Sequence, residues 1–210
     1  MKRGRFITFE GIEGSGKSTQ ARLLVARLRA MGRRVVTTRE PGGTAPGEAI
    51  RAILKDTAMT LCPEAELLLF AASRAQLVRE VIAPALKRGA VVVSDRFVDS
   101  TTVYQGLARG LGLDATEAVG RLAVGRAAPD LTILLDIEVR KGLARLRNRT
   151  KVTGAGLDRI EREGIRFHSM VRDEYLAVAR GSRGRMKVID GSRDQAAVSR
   201  AVWRIVSDVL

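Results

Sequence analysis

The chain has 210 residues, which suits one domain, with 45% apolar residues to build a core and only 4% aromatics to fill it. Its single cysteine, Cys62, excludes an intrachain disulfide and fits a reducing compartment. A formal charge of +14 admits two kinds of partner: nucleic acid, or a site that handles several phosphates beneath a basic surface.

Arg5 to Glu10 reads as a strand and Ser18 to Met31 as a helix. Between them, Gly11-Ile12-Glu13-Gly14-Ser15-Gly16-Lys17-Ser18 fits G-x-x-x-x-G-K-[ST], the phosphate-binding P-loop. Glycines let successive N–H groups point at one spot, and the following helix N-terminus adds positive potential there. Lys17 then reaches the β- and γ-phosphates, and the Ser18 hydroxyl is a Mg²⁺ ligand. Val35 to Thr38 is a short strand, Ala49 to Lys55 a short helix, and Glu64 to Lys87 a long helix with a kink or break expected at Pro84. Ala90 to Ser94 is a continuous apolar run, as in a strand buried on both faces. Asp99 to Leu107 and Asp114 to Val124 read as helices, and Leu131 to Leu135 as another buried strand. Glu138 to Arg149 is a basic helix, Thr150 to Gly156 a mobile loop, and Leu157 to Arg180 a long charged helix. Met186 to Ile189 and Gln195 to Leu210 supply the last strand and helix.

Five strands alternating with helices predict a single α/β domain over residues 1–210: a P-loop NTPase three-layer fold, with a five-stranded parallel sheet, helices on both faces and a lid near 145–157. Ligands of such sheets bind beyond the carboxyl ends of the strands. Strand three ends in Asp95-Arg96-Phe97, where Asp95 is either a Mg²⁺ acid or a turn-capping residue. Arg96 is placed to grip a phosphate, and Arg39 holds the matching place after strand two unless it is simply solvated. Phe70 and Arg74 share a helix face; on spacing alone Phe70 reads as core, with base stacking the alternative. Arg145, Arg147, Arg149 and Lys151 flank the loop, either as lid arginines for a transferring phosphoryl group or as a solvated face.

Cys62 lacks a nearby histidine and is not read as a catalytic thiol, and the one histidine, His168, is expected on the surface of a polar helix. No N-K-x-D or D-x-x-G element marks a GTPase. No aromatic-rich RNA-binding motif or zinc spacing accompanies the basic residues, so nucleic acid is not expected as the primary partner. Lys2, Arg3 and Arg5 precede an apolar stretch too short for a signal peptide, and no run suits a membrane span, so a cytoplasmic location without a membrane partner is expected. A kinase for some other small acceptor and a basic P-loop protein that binds nucleic acid without transferring phosphate are the rival readings.

Taken in order, these segments resemble the thymidylate kinase family nearly end to end. The likeness rests on the P-loop, Thr38-Arg39-Glu40-Pro41-Gly42-Gly43-Thr44, Leu69 to Arg74, Asp95-Arg96-Phe97, Ser100-Thr101 with Tyr104-Gln105-Gly106, Pro129-Asp130-Leu131 with Asp136, and Leu157 to Glu161. The resemblance implies phosphorylation of dTMP to dTDP by ATP with Mg²⁺. It implies ATP binding by Gly11, Glu13, Gly14, Ser15, Gly16, Lys17, Ser18 and Thr19, and Mg²⁺ binding by Ser18 and Asp95. It assigns dTMP to Glu13, Arg39, Phe70, Arg74, Arg96, Ser100, Tyr104 and Gln105, with Phe70 stacking on thymine, Arg74 on a base carbonyl and Tyr104 filling the 2′-hydroxyl space. Glu13 falls near the sugar 3′-hydroxyl or the metal. Lys17, Arg96, Arg147 and Arg149 form the catalytic set, as in bacterial members whose arginine comes from the lid, since this P-loop holds none. The family also implies a homodimer, with the Glu64 to Val81 helix as its surface. Thr150 to Gly156 departs from the pattern as a longer spacer.

Overall fold

The computed structural model describes residues 3–154 and 156–210. Lys2 of the basic N-terminus and Ala155 of the expected loop lie outside the described residues.

Three apolar runs form the centre of one sheet: β1 (Phe6–Glu10), β3 (Val91–Asp95) and β4 (Leu131–Asp136). They are flanked by β2 (Val35–Arg39) and β5 (Met186–Asp190) in the order β2-β3-β1-β4-β5, every pair parallel. The runs are continuous because both faces are covered. On one face Ile7, Phe9, Val91, Val93 and Ile133 pack with α1 (Lys17–Ala30) and α9 (Gln195–Ser207). On the other, Phe6 and Val92 meet Leu77, Ile82 and Phe97. Full burial of such side chains contributes about 1.5–3 kcal/mol each, so the central strands form the rigid part of the molecule. Register aligns Phe9 with Asp95 and Asp95 with Arg39, which sets the tips of the first three strands along one edge.

Capping explains why α2 (Ala45–Lys55) starts earlier than expected: the Thr44 hydroxyl accepts from Gly47 N at 3.1 Å, and Pro46 sits in the first turn. The long helix is interrupted just ahead of Pro84 without ending there. It runs as α3 (Pro63–Leu77), a π-helical turn (Val78–Ile82) and α4 (Ala83–Lys87). The wider turn opens ahead of the proline, whose ring would strike the carbonyl four residues back in a regular helix. The segment after β3 is likewise α5 (Val98–Thr101) followed by a second π-helical stretch (Thr102–Ala108). α6 (Leu113–Val124) follows the expected bounds, and α9 stops before the expected Leu210.

The lid region departs most from expectation. α7 (Val139–Thr153) takes up Thr150 to Thr153 of the expected loop and ends where Gly154 takes a left-handed conformation. The next helix, α8 (Ile165–Gly181), begins eight residues late. Asp158 holds the intervening turn, its Oδ1 accepting from Ile160 N at 3.1 Å and Glu161 N at 2.9 Å, a local pattern that competes with helix.

Candidate active site

The loop between β1 and α1 curls through Gly11, Gly14 and Gly16, all at positive φ. Lys17 folds back over it, donating to Gly11 O at 2.9 Å and Ile12 O at 2.8 Å. Burial and then the Arg96 charge push Lys17 down to about 8, against the pull of Glu13 and Asp95. Ser18 Oγ donates to Asp95 Oδ2, so a hydroxyl and a carboxylate share the tip of β3. The loop also packs backbone to backbone on α7: a Cβ on Gly14 would lie 2.0 Å from Gly142 O, and one on Gly142 would lie 2.7 Å from Glu13 O.

Arg96 takes φ 70, a left-handed backbone uncommon for arginine. Arg96 N donates to Phe9 O at 2.9 Å, and its carbonyl accepts from Ser94 Oγ at 2.7 Å. The side chain is thereby turned into the cleft, where Nη2 meets Glu13 Oε1 and Tyr104 Oη, and Nη1 meets Ser100 Oγ at 3.2 Å and Tyr175 Oη at 3.3 Å. Beneath it lies Glu10, fully buried, accepting from Phe97 N at 2.8 Å, Ser100 Oγ at 2.6 Å and Tyr175 Oη at 2.7 Å. Burial raises the Glu10 carboxyl, with Arg96 opposing. Burial also works on Glu13, but the Arg96 charge, with Lys17 adding to it, overrides burial and holds that carboxyl well below the usual range.

These groups line one cleft of about 840 Å³. Glu13 to Thr19, Arg39, Phe70, Asp95, Arg96, Ser100, Tyr104 and Gln105 all line it, and the Tyr104 hydroxyl donates to Glu13 Oε2 at 2.9 Å. The expected phosphate, metal and acceptor residues therefore converge, with Gly11 contributing its carbonyl to Lys17 rather than a wall. Arg39 is tied to Glu48 at 3.1 Å, and the Gln105 amide donates to the buried Glu66.

Two residues depart from expectation. Arg74 is off the cleft wall and 1% exposed; its Nε donates to Glu40 Oε2 at 2.8 Å, Nη1 to Thr101 Oγ1 at 2.9 Å and Nη2 to Phe97 O at 3.2 Å. It braces the helix that carries Phe70 and the segment that carries Arg96. Arg147 is exposed and also off the cleft. Because α7 stays helical past it, Arg145 and Arg149, four apart, face the cleft while Arg147 points about 200° away. Arg145 Nη1 donates to Gly191 O at 2.9 Å, and Arg149 Nη2 to Glu161 Oε1 at 2.7 Å.

His168 corrects the surface expectation: it is 0% exposed. With Val171, Tyr175 and Ala179 it forms the buried stripe of α8, a spacing legible beneath the charged residues around it. Sequence reading also passed over Arg51 and Arg193, which line the cleft, and Glu40, which burial raises to about 7 against Arg74. A glutamate closing an apolar strand, Glu10, was the available signal for a charge set under the site.

A parallel sheet in this order, with a glycine nest at the first strand and an acid at the tip of the third, defines the P-loop NTPase α/β class. A family model described as thymidylate kinase matches residues 9–202, and the chain belongs to the thymidylate kinase family. It is 53% identical over 193 residues to a thymidylate kinase of Geobacter sp. (strain M21), covering 91% of this chain and 86% of that one. A thymidylate kinase of Methylococcus capsulatus is 48% identical over 212 residues, covering 100% of this chain and 98% of its own. The crystal structure of thymidylate kinase from Ehrlichia chaffeensis superposes with a TM-score of 0.77 at 32% identity, covering 97% and 99% of the two chains.

Proposed function

We propose that this chain transfers the γ-phosphoryl group of ATP to dTMP, giving ADP and dTDP. One observation carries the reading: the anion cradle at Gly14 to Ser18 opens into the same cleft as Arg39, Phe70, Arg96 and Tyr104. Two nucleotides can lie there end to end, and the relatives are thymidylate kinases.

The acceptor phosphate already carries an ionised oxygen, so transfer needs no general base, and the protein's work is positioning and charge neutralisation. Arg96 and Arg39 hold the acceptor phosphate, Phe70 stacks on the base, and Tyr104 occupies the space of a ribose 2′-hydroxyl. Lys17 leaves the carbonyls of Gly11 and Ile12 to meet the β- and γ-phosphates. Arg149 and Arg145, rather than Arg147, face the transferring group. The Ser18 hydroxyl and the Asp95 carboxylate form a hard-oxygen pair that fits Mg²⁺, which takes one or two protein oxygens together with substrate phosphates. When bound, that ion supplies charge neutralisation at the phosphates. The family's homodimer falls on α3, whose exposed stripe carries Leu68, Ala72 and Ala75, and a cytoplasmic location accords with the lone cysteine. Among the described residues no helix is long and apolar enough to cross a membrane.

An ADP-release assay across dTMP, dUMP, UMP, CMP and thymidine tests the assignment. The expected outcome is the highest kcat/KM for dTMP. Preference for another acceptor would redirect the assignment to that substrate, and release with none would end it.

A further inference from the structure

His168 sits on α8 against the P-loop with both ring nitrogens buried and without a hydrogen-bond partner. Buried polar atoms in folded proteins are nearly always paired, so two orphans on one ring call for an explanation. The acceptor it faces is Glu13, with Nδ1 3.4 Å from Oε2, slightly beyond a well-made bond. Elsewhere His168 meets the edge of Phe167, and among the described residues no second carboxylate pairs with it. Glu13 meanwhile is engaged elsewhere: Arg96 Nη2 takes Oε1, and the Tyr104 hydroxyl donates to Oε2 at 2.9 Å. Lys17 adds a further positive charge nearby.

We propose that His168 is a positioning residue for dTMP binding, holding Glu13 through an Nδ1–H donor that engages when Arg96 turns to the acceptor phosphate. The inference rests on the acceptor reading given above, in which Arg96 grips that phosphate. An arginine shared between Glu13 and an arriving phosphate withdraws charge from the carboxylate, which would then sit buried with fewer donors. A movement of a few tenths of an ångström brings Nδ1 into range and keeps Glu13 at its place beside Tyr104. The neutral Nδ1–H tautomer suits the pocket, since it leaves only an acceptor, Nε2, without a partner.

His168 is the only histidine in the chain, so selective ¹⁵N labelling yields a single ring to observe. The expected spectrum of the free protein shows Nδ1 protonated and Nε2 bare, with the Nδ1 signal moving on addition of dTMP and on Glu13→Gln. An Nε2–H tautomer, or a signal indifferent to Glu13→Gln, overturns the proposal. The tautomer and the Glu13→Gln response need no substrate, so they stand or fall separately from the dTMP assignment. In kinetics, His168→Phe keeps the ring and removes the donor; KM for dTMP should rise about tenfold with KM for ATP within about twofold, as for loss of one hydrogen bond to a charged group. His168→Asn, whose amide replaces Nδ1–H, should restore most of that loss. Equal rises in both KM values, an unchanged KM for dTMP, or failure of Asn to rescue would each overturn the positioning role.

Discussion

The phosphate cradle and helix α7 face the same cleft and are built in opposite ways. From Gly11 to Ser18 the groups proposed to bind phosphate are backbone N–H groups of a loop shaped by glycines at positive φ. On α7 they are guanidinium groups on long side chains, and the Arg149–Glu161 pair leaves the arginine 56% exposed. Backbone donors cost no rotamer entropy when a ligand arrives, whereas exposed ion pairs exchange partners cheaply. Charge that must already be in place is written into the main chain, and charge that arrives with the substrate is carried by side chains.

The sharpest way to break this contrast is Lys17→Ala, expected to lower kcat by about a thousandfold, the scale of losing one preorganised charge donor, while dTMP binding holds. Turnover at the wild-type rate would remove the cradle from the chemistry. The two faces of α7 come next. Arg149→Ala should lower kcat by about ten- to a hundredfold, and Arg147→Ala by less than about twofold, because only the former faces the cleft. Equal losses would mean that α7 turns on binding. The pH profile sharpens the cradle side. Burial depresses Lys17, so its charge is present below about 8 and lost above it, and kcat/KM for ATP should fall as pH rises through that value. A profile still level well above it would show that Lys17 keeps its proton in the free protein. Smallest is Glu161→Gln, which removes the charge from a tie whose arginine is half exposed but leaves an oxygen to accept from Asp158 N or Arg149, and should shift the unfolding free energy by no more than about 1 kcal/mol in a denaturant titration. A larger loss would show the α7 side to be as fixed as the cradle.

The same contrast separates what was legible in the sequence from what was not. Gly11 to Ser18 and the apolar strands are contiguous, so their pattern carries their role without knowledge of distant partners. Arg147 and Arg149 depend on where α7 ends. Thr150 to Thr153 read as loop, and only the left-handed Gly154 beyond them terminates the helix. Asp158 hid the late start of α8 because its side chain serves the backbone locally. Arg74 was placed beside the base, but its ion-pair partner is Glu40, 34 residues away in the sequence. His168 was concealed by composition: a helix rich in charge still turns one apolar stripe inward.

The bare contact between Gly14 and Gly142 has a mechanical meaning. With main chain seated on main chain, the base of α7 is clamped to the nucleotide loop and cannot serve as a pivot. Any swing that delivers Arg149 must come from bending of α7 between Gly142 and Arg149 or from the arginine side chain itself, so reach toward the transferred group grows with distance from the clamp. Alanine at either glycine would wedge rod and loop apart and misalign both nucleotide seats at once.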